Sequence, residues 1–187
     1  DFDGVVVDTE PIYDIYWNEA GKRYQTGIPN FASHIKGTTL PYILDKYFSD
    51  RSEEFKEMVT RESMDFEQKM PFPPVPGAME FIHLLKSKDV KVGLVTSSDN
   101  AKLKRAFRLL KLDNLFDTVV SADRITKGKP DPMCYQLAAS DLHVSPADCL
   151  VFEDSFAGIQ AGTNAGMRVI GLSTTNSEES LKDKVYQ

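Results

Sequence analysis

The sequence predicts an α/β fold: a parallel sheet covered by helices on both faces, with a separate helical module inserted near its amino-terminal end. Three observations carry that expectation. Across residues 78–172 short apolar runs alternate with stretches of helical period. Across residues 12–70 the pattern is helical and no run reads as a strand. Between them lies Pro71-Phe72-Pro73-Pro74-Val75-Pro76-Gly77, which cannot sit inside a helix and reads as a stiff linker.

Val5-Val6-Val7 is an apolar run closed by Asp8-Thr9-Glu10-Pro11. Ile12, Ile15, Tyr16 and Ala20 then recur at helical spacing and give a first amphipathic helix. Residues 41–48 suit a second helix and 53–69 a third. Met58, Met64 and Met70 within this module read as core side chains rather than a binding face. After the linker the expected order is helix 78–88, strand 90–95, helix 100–110, strand 118–121, helix 132–140, strand 149–152, helix 156–164 and strand 168–172. The expected division is therefore an α/β core made of residues 1–11 and 76–187, with an inserted helical module of residues 12–75 that ends in the Pro-rich linker.

A chain of 187 residues is long enough for one core and a smaller module. Its 41% hydrophobic and 27% charged residues match a soluble globular protein rather than a disordered or membrane-embedded one. The net charge of −6 argues against broad binding to nucleic acid or to an anionic membrane. It leaves room for a small anionic substrate, because a metal and one lysine can make a local positive site. No apolar run approaches a membrane span and no signal segment is evident. Cys134 and Cys149 fit no metal spacing and read as reduced thiols of a cytoplasmic protein. Asp1 is expected at the carboxyl end of a buried strand, and Val185-Tyr186-Gln187 resembles the start of another, so the chain reads as part of a longer protein.

The chemistry-bearing residues fall at the expected carboxyl ends of strands, where ligands bind in open α/β sheets. Asp1-Phe2-Asp3-Gly4 places two carboxylates at i and i+2. Such a pair either solvates a turn or binds one hard cation and leaves an oxygen free to attack. In the second case Asp1 is a nucleophile toward phosphorus and Asp3 a general acid and base. Thr96 closes Val92-Gly93-Leu94-Val95; its hydroxyl can bond a phosphoryl oxygen, or it and Ser97-Ser98-Asp99 can simply cap the next helix. Lys129, in Gly128-Lys129-Pro130-Asp131-Pro132, can neutralise charge between nucleophile and phosphate, with Lys127 as the local competitor. Glu153-Asp154 follow Leu150-Val151-Phe152; acids that end a buried strand are costly unless a cation or other partners hold them, and the alternative is a helix-capping role. With Asp1 and the carbonyl of Asp3 they would supply the oxygen-rich shell Mg²⁺ prefers. His34, His83 and His143 are scattered and assemble no catalytic arrangement.

In order along the chain, Asp1-Phe2-Asp3-Gly4-Val5-Val6-Val7-Asp8-Thr9-Glu10, Leu94-Val95-Thr96-Ser97-Ser98, Gly128-Lys129-Pro130 and Phe152-Glu153-Asp154-Ser155-Phe156-Ala157-Gly158-Ile159 resemble the four motifs of the haloacid dehalogenase-like (HAD) hydrolase superfamily. The helical insert between the first and second motifs resembles the subfamily with a C1-type cap, which includes beta-phosphoglucomutase and phosphoglycolate phosphatase-like enzymes. The resemblance implies a Rossmann-like parallel-sheet core and a mobile cap. It implies Mg²⁺ held by Asp1, Asp3, Glu153 and Asp154, with Asp1 as the phosphorylated nucleophile, Asp3 as acid and base, and Thr96 and Lys129 as phosphate binders. Ser97 and Asn100 are implied to touch the phosphate or a second substrate group. Lys36, in the cap loop Lys36-Gly37-Thr38-Thr39, is implied to touch the leaving group, and Thr9, Glu10 and the Pro71 to Pro76 stretch to form the two hinge strands.

The founding dehalogenases lack the second aspartate and need no metal, so Asp3 and the Glu153-Asp154 pair favour phosphoryl chemistry. Beta-phosphoglucomutases usually carry a histidine after the first motif and an arginine after the cap Lys-Gly; those places hold Tyr13 and Thr39 or Leu40 here. The expectation is a monomeric Mg²⁺-dependent phosphatase acting on a small phosphorylated metabolite, a sugar or nucleoside phosphate. The alternatives are a phosphosugar mutase and a non-catalytic binding module that kept the fold.

Overall fold

The computed structural model describes residues 1–36 and 38–186. Gly37 of the anticipated cap loop and Gln187 at the expected end of the core lie outside the described residues. The first helix, α1 (Glu10–Arg23), has Pro11 in its opening turn and Lys22 and Arg23 in its last, the charge order a helix dipole favours. A short α2 (Phe31–Ile35) follows, then α3 (Leu40–Tyr47) and α4 (Glu53–Glu67). Ser52 caps α4 by accepting from the Phe55 amide at 3.2 Å, with Glu53 and Glu54 in its first turn. Helix α2 was not expected; it is only five residues long, and burial of Phe31, Ala32 and Ile35 rather than a long periodic pattern stabilises it. Trp17, Tyr24, Phe31, Ile35, Phe48 and Val59 form a hydrophobic cluster of the inserted helices.

The linker runs beside the first motif. Val7 pairs with Pro74 in an antiparallel bridge, the Asp8 amide donates to the Pro73 carbonyl at 2.7 Å, and the Val75 amide to the Val6 carbonyl at 3.0 Å. The two passages of chain into and out of the helical module are thus tied to each other.

Beyond the linker come α5 (Ala78–Ser87), β1 (Gly93–Val95), α6 (Asn100–Leu110), β2 (Thr118–Val120), α7 (Met133–Leu142), β3 (Leu150–Glu153), α8 (Phe156–Asn164), β4 (Arg168–Gly171) and α9 (Glu178–Leu181). Strand β1 begins three residues later than its apolar run suggests. Val90 is exposed, and the Val92 backbone is taken up by Asp117, whose carboxylate accepts from the Val92 amide and whose amide donates to the Val92 carbonyl, each at 2.7 Å. Val185 and Tyr186 form no strand; the Tyr186 amide donates to the Val169 carbonyl at 2.8 Å.

Among the described residues the strands form two parallel pairs, β1 with β2 and β3 with β4. Helix α7 packs on β1 and β2 and touches α8, which packs on β3 and β4. Alternation then sorts the strand side chains: Val95, Val120, Val151 and Val169 join one cluster, while Leu94 joins Phe2, Val7, Phe72 and Leu103 in another. An apolar cleft of about 580 Å³ separates the pairs, walled by Leu94 and Val95 on one side and Val151 and Phe152 on the other. Asp1 lies at the carboxyl end of that cleft, where its amino group donates to the Phe152 carbonyl at 2.8 Å. Among the described residues no helix is long and apolar enough to cross a membrane, and Cys134 and Cys149 are both free thiols.

Candidate active site

The carboxyl ends of β1 and β3, the first motif and the Lys129 loop converge on the floor of a cavity of about 550 Å³. Its roof comes from α1, α2, α3 and α4 and includes Tyr13, Trp17, Ile35, Leu40, Ile43, Met64 and Glu67. Met64, read from sequence as core, is 46% exposed and lines this cavity, while Met70 is buried as expected.

On the floor, Lys129 Nζ lies 2.8 Å from Asp1 Oδ1 and 2.5 Å from Glu153 Oε1. The lysine side chain is 3% exposed, whereas that of Lys127 is 72% exposed and reaches only Asp131 at 3.9 Å. Of the two lysines, Lys129 is the one buried against Asp1. Burial works against the Lys129 charge, but the adjacent Glu153 carboxylate and Tyr135 carry it above the ordinary lysine range.

Glu153 is fully buried. Its Oε1 accepts from Lys129 and from the Tyr135 hydroxyl at 2.6 Å; its Oε2 accepts from the Ser155 hydroxyl at 3.1 Å and from the amides of Asp154 and Ser155. Burial would raise its pKa, but Lys129 outweighs that and holds it low. Both oxygens are thus engaged by protein donors. Glu153 packs so closely on α8 that a Cβ on Gly158 would fall 2.0 Å from its carboxyl carbon. The glycine of the fourth motif is where a carboxylate enters the space of a helix.

Asp154 has the opposite character. It is 2% exposed, its Oδ2 accepts from the Thr175 hydroxyl, and its Oδ1 is buried with no partner. Burial, reinforced by the nearby Glu153 charge, pushes its pKa up to about 6. Gly4, at φ +77°, lets the first motif pass over it; a Cβ there would fall 2.0 Å from Asp154 Oδ2. Ligand atoms of Asp1, Glu153 and Asp154 lie within 4.8 Å of one another. A cluster of three carboxylates, one of them with an orphaned buried oxygen, fits a hard cation, which would satisfy that oxygen.

Asp3 is surrounded by donors. Thr9 Oγ1 donates to Oδ1, Ser98 Oγ to Oδ2 at 2.9 Å, and Lys102 Nζ to both oxygens at 2.7 Å. Burial opposes its ionisation, but the Lys102 ammonium and these hydrogen bonds hold its carboxyl below the usual range. Lys102 was missed in the sequence. Its signal was position: it follows the capping Asp99 by three residues and shares the buried face of α6 with Leu103 and Ala106. Its ammonium also lies 4.7 Å from the Tyr13 ring centroid, and the Tyr13 hydroxyl donates to Glu67 at 2.7 Å, so helices α1 and α4 meet the floor here.

Thr96 is 2% exposed and lines the cavity, its hydroxyl accepting from the Ser98 amide at 3.0 Å. Ser97 lines the cavity as well. Asn100 is not among the lining residues: its side-chain oxygen accepts from Ser121 at 2.8 Å and its backbone amide donates to Asp123, which ties it to the loop after β2. Lys36 does line the cavity, with Nζ 3.0 Å from Asp14 Oδ2 and 3.5 Å from Glu10 Oε2. Burial and the Asp154 charge push Glu10 up to about 7, against the pull of Lys36.

A carboxylate held by a buried lysine, a second one ringed by donors, and a third with an orphaned oxygen can perform nucleophilic displacement at an anionic, oxygen-rich centre. Comparison with known proteins points the same way. The chain matches the family described as haloacid dehalogenase-like hydrolase over residues 1–172. It is 33% identical over 181 residues to a phosphorylated carbohydrates phosphatase of Thermotoga maritima, covering 92% of this chain and 82% of that one. It is 32% identical over 186 residues to a beta-phosphoglucomutase of Bacillus subtilis, covering 92% and 80%. A solved HAD hydrolase of family IA, variant 3, from Entamoeba histolytica superposes with a TM-score of 0.82 at 25% identity, covering 98% of this chain and 86% of that one.

Proposed function

The chain belongs to the haloacid dehalogenase-like hydrolases, and from that premise we propose that it is a Mg²⁺-dependent phosphatase of a small phosphorylated metabolite, a sugar or nucleoside phosphate. The observation that carries this reading is Asp1 itself. Lys129 holds its Oδ1, and Asp154, which carries a buried oxygen without a partner among the described residues, belongs to the same carboxylate cluster, at the floor of a roofed cavity of metabolite size.

Asp1 attacks phosphorus through Oδ2, forming an acyl phosphate as the bond to the leaving oxygen breaks. Asp3 protonates that oxygen. It reaches this role by turning from Lys102 and taking up a proton, since a carboxylate that accepts four hydrogen bonds from three donors has none to give. Water then attacks the phosphoryl group, Asp3 receives its proton, and phosphate leaves with Asp1 restored. Thr96 and Lys129 bind the phosphoryl oxygens. Asp1, Asp154 and the carbonyl of Asp3 would hold Mg²⁺, with Glu153 fixing Lys129 behind them; the cation would neutralise and orient the phosphate. Residues 12–75 act as a cap over a core of residues 1–11 and 76–187, and the joined passages at Val7 and Pro74 are its hinge. Closure excludes water during the first transfer.

The likeness to a beta-phosphoglucomutase supports a second reading, in which the phosphoryl group returns to substrate. The cavity's cations favour hydrolysis instead. Among the described lining residues these are Lys36, Lys102 and Lys129, and each lies within 3.0 Å of a carboxylate, so none is spare to grip a second phosphate. Phosphate release from a panel of sugar and nucleoside monophosphates, with and without Mg²⁺, tests the proposal. Metal-dependent release supports it. Isomerised glucose 1-phosphate without release would establish the mutase.

A further inference from the structure

One short loop after β4 holds both sides of the floor. Thr174 Oγ1 donates to the Gly4 carbonyl at 2.6 Å, across 170 residues of sequence. Thr175 Oγ1 donates to Asp154 Oδ2, and Asn176 Nδ2 donates to the Asp154 carbonyl at 2.7 Å. The loop is itself set by the start of α9, where Ser177 caps the helix by accepting from the Ser180 amide. Nothing in the sequence pattern singled out these three residues.

A carboxylate with two free oxygens can present either one and rotate between them. With Oδ2 bound to a hydroxyl, Asp154 has one oxygen left, and the structure places it in a buried position with no protein partner. A hydroxyl that donates to one oxygen of a ligating carboxylate aims the other, and it also relieves the cost of burying the charge. We propose that Thr175 is a positioning residue for the cation site: its hydroxyl fixes Asp154 so that Oδ1 faces Asp1, and the Thr174-Thr175-Asn176 loop sets the cation affinity of the floor. This rests on the metal reading given under the proposed function.

The test is Mg²⁺ binding by titration calorimetry on the whole chain, without substrate, for the wild type, Thr175→Val, Thr175→Ser and Asp154→Asn. Thermal unfolding of each metal-free protein serves as the fold control. The expected result is binding weakened by about 10- to 100-fold in Thr175→Val, restored in Thr175→Ser, and lost in Asp154→Asn, with each metal-free Thr175 variant unfolding cooperatively, Thr175→Ser near the wild-type temperature and Thr175→Val below it. Where Thr175→Val does not fold, Thr175→Ala carries the same expectation. Unchanged affinity in the variant that lacks the hydroxyl, or equal weakening in Thr175→Ser, overturns the proposal while the metal reading stands. Wild-type protein that binds no Mg²⁺ overturns both.

Discussion

The floor and roof of the cavity are built on different rules. Floor side chains follow strand ends or stiff loops, are almost wholly buried and have fixed partners: Thr96 and Asp154 are each 2% exposed, and the Lys129 side chain is 3% exposed. Roof side chains project from α1, α2, α3 and α4 and the residues that follow α2, and mix apolar surface at Leu40, Ile43 and Met64 with looser ion pairs such as Lys36 with Asp14 and Glu10, in which Lys36 is 20% exposed and Asp14 40%. A floor of buried, mutually dependent charges is suited to one kind of reaction. A roof of helices can change its lining without disturbing that chemistry, which is how one fold can serve many substrates.

The sharpest way to break this contrast is at the nucleophile. Asp1→Asn keeps the size of the side chain and removes its charge, and the expectation is loss of phosphate release by about 10⁴-fold or more with the fold retained. Circular dichroism and a phosphate assay check it, and substantial turnover in the variant would sink the floor's assigned role. Lys129→Met comes next. It leaves the fully buried Glu153 without its cation, so the floor should lose about 3–5 kcal/mol of stability as well as activity, read from urea unfolding. A cost no larger than that of a surface lysine would mean that water reaches Glu153.

The roof should respond more gently. Glu10 ionises at about 7 in the folded chain against an ordinary value of 4.5. Between those values the folded state holds a proton that the unfolded state has lost, so stability falls as pH rises through the window, by at most about 1.4 kcal/mol per pH unit. Asp154, pushed up to about 6, adds slope in the same sense. Glu10→Gln should therefore flatten the fall between pH 5 and pH 7 without abolishing it, as urea midpoints at several pH values would show; an unaltered slope would mean that Glu10 is ordinarily ionised. The smallest effect is expected for Lys36→Met, with less than about 1 kcal/mol lost from stability and a change in KM larger than that in kcat. A kcat effect approaching that of Lys129→Met would erase the distinction between roof and floor.

Most of the floor was legible in the sequence because its parts are local signals. A carboxylate pair after a backbone turn, a threonine and an acid pair at the ends of apolar runs, and a lysine in a proline-stiffened loop each announce themselves within a few residues. The edges of legibility are physical too. Helix α6 and helix α8 match their expected bounds because Asp99 and Ser155 cap them and the period is clear. Helix α2 is too short to show a period, and β1 is shortened by Asp117, which lies more than twenty residues away from Val92. Asn100 was implied by the family resemblance alone, and spacing gave no sign that its side-chain oxygen would accept from Ser121.

By itself, then, the sequence determined the α/β alternation, the inserted helices, the order of the four motifs and the kind of chemistry they can support. These rest on short-range forces: backbone period, capping, and the steric demands of proline and glycine. The tertiary structure alone decided which cation meets which carboxylate. It put Lys102 on Asp3 across 99 residues and Lys129 on Asp1 across 128, and it laid Thr174 on Gly4 across 170. Such pairs depend on how helices and strands pack in three dimensions, and spacing along the chain carries no record of them.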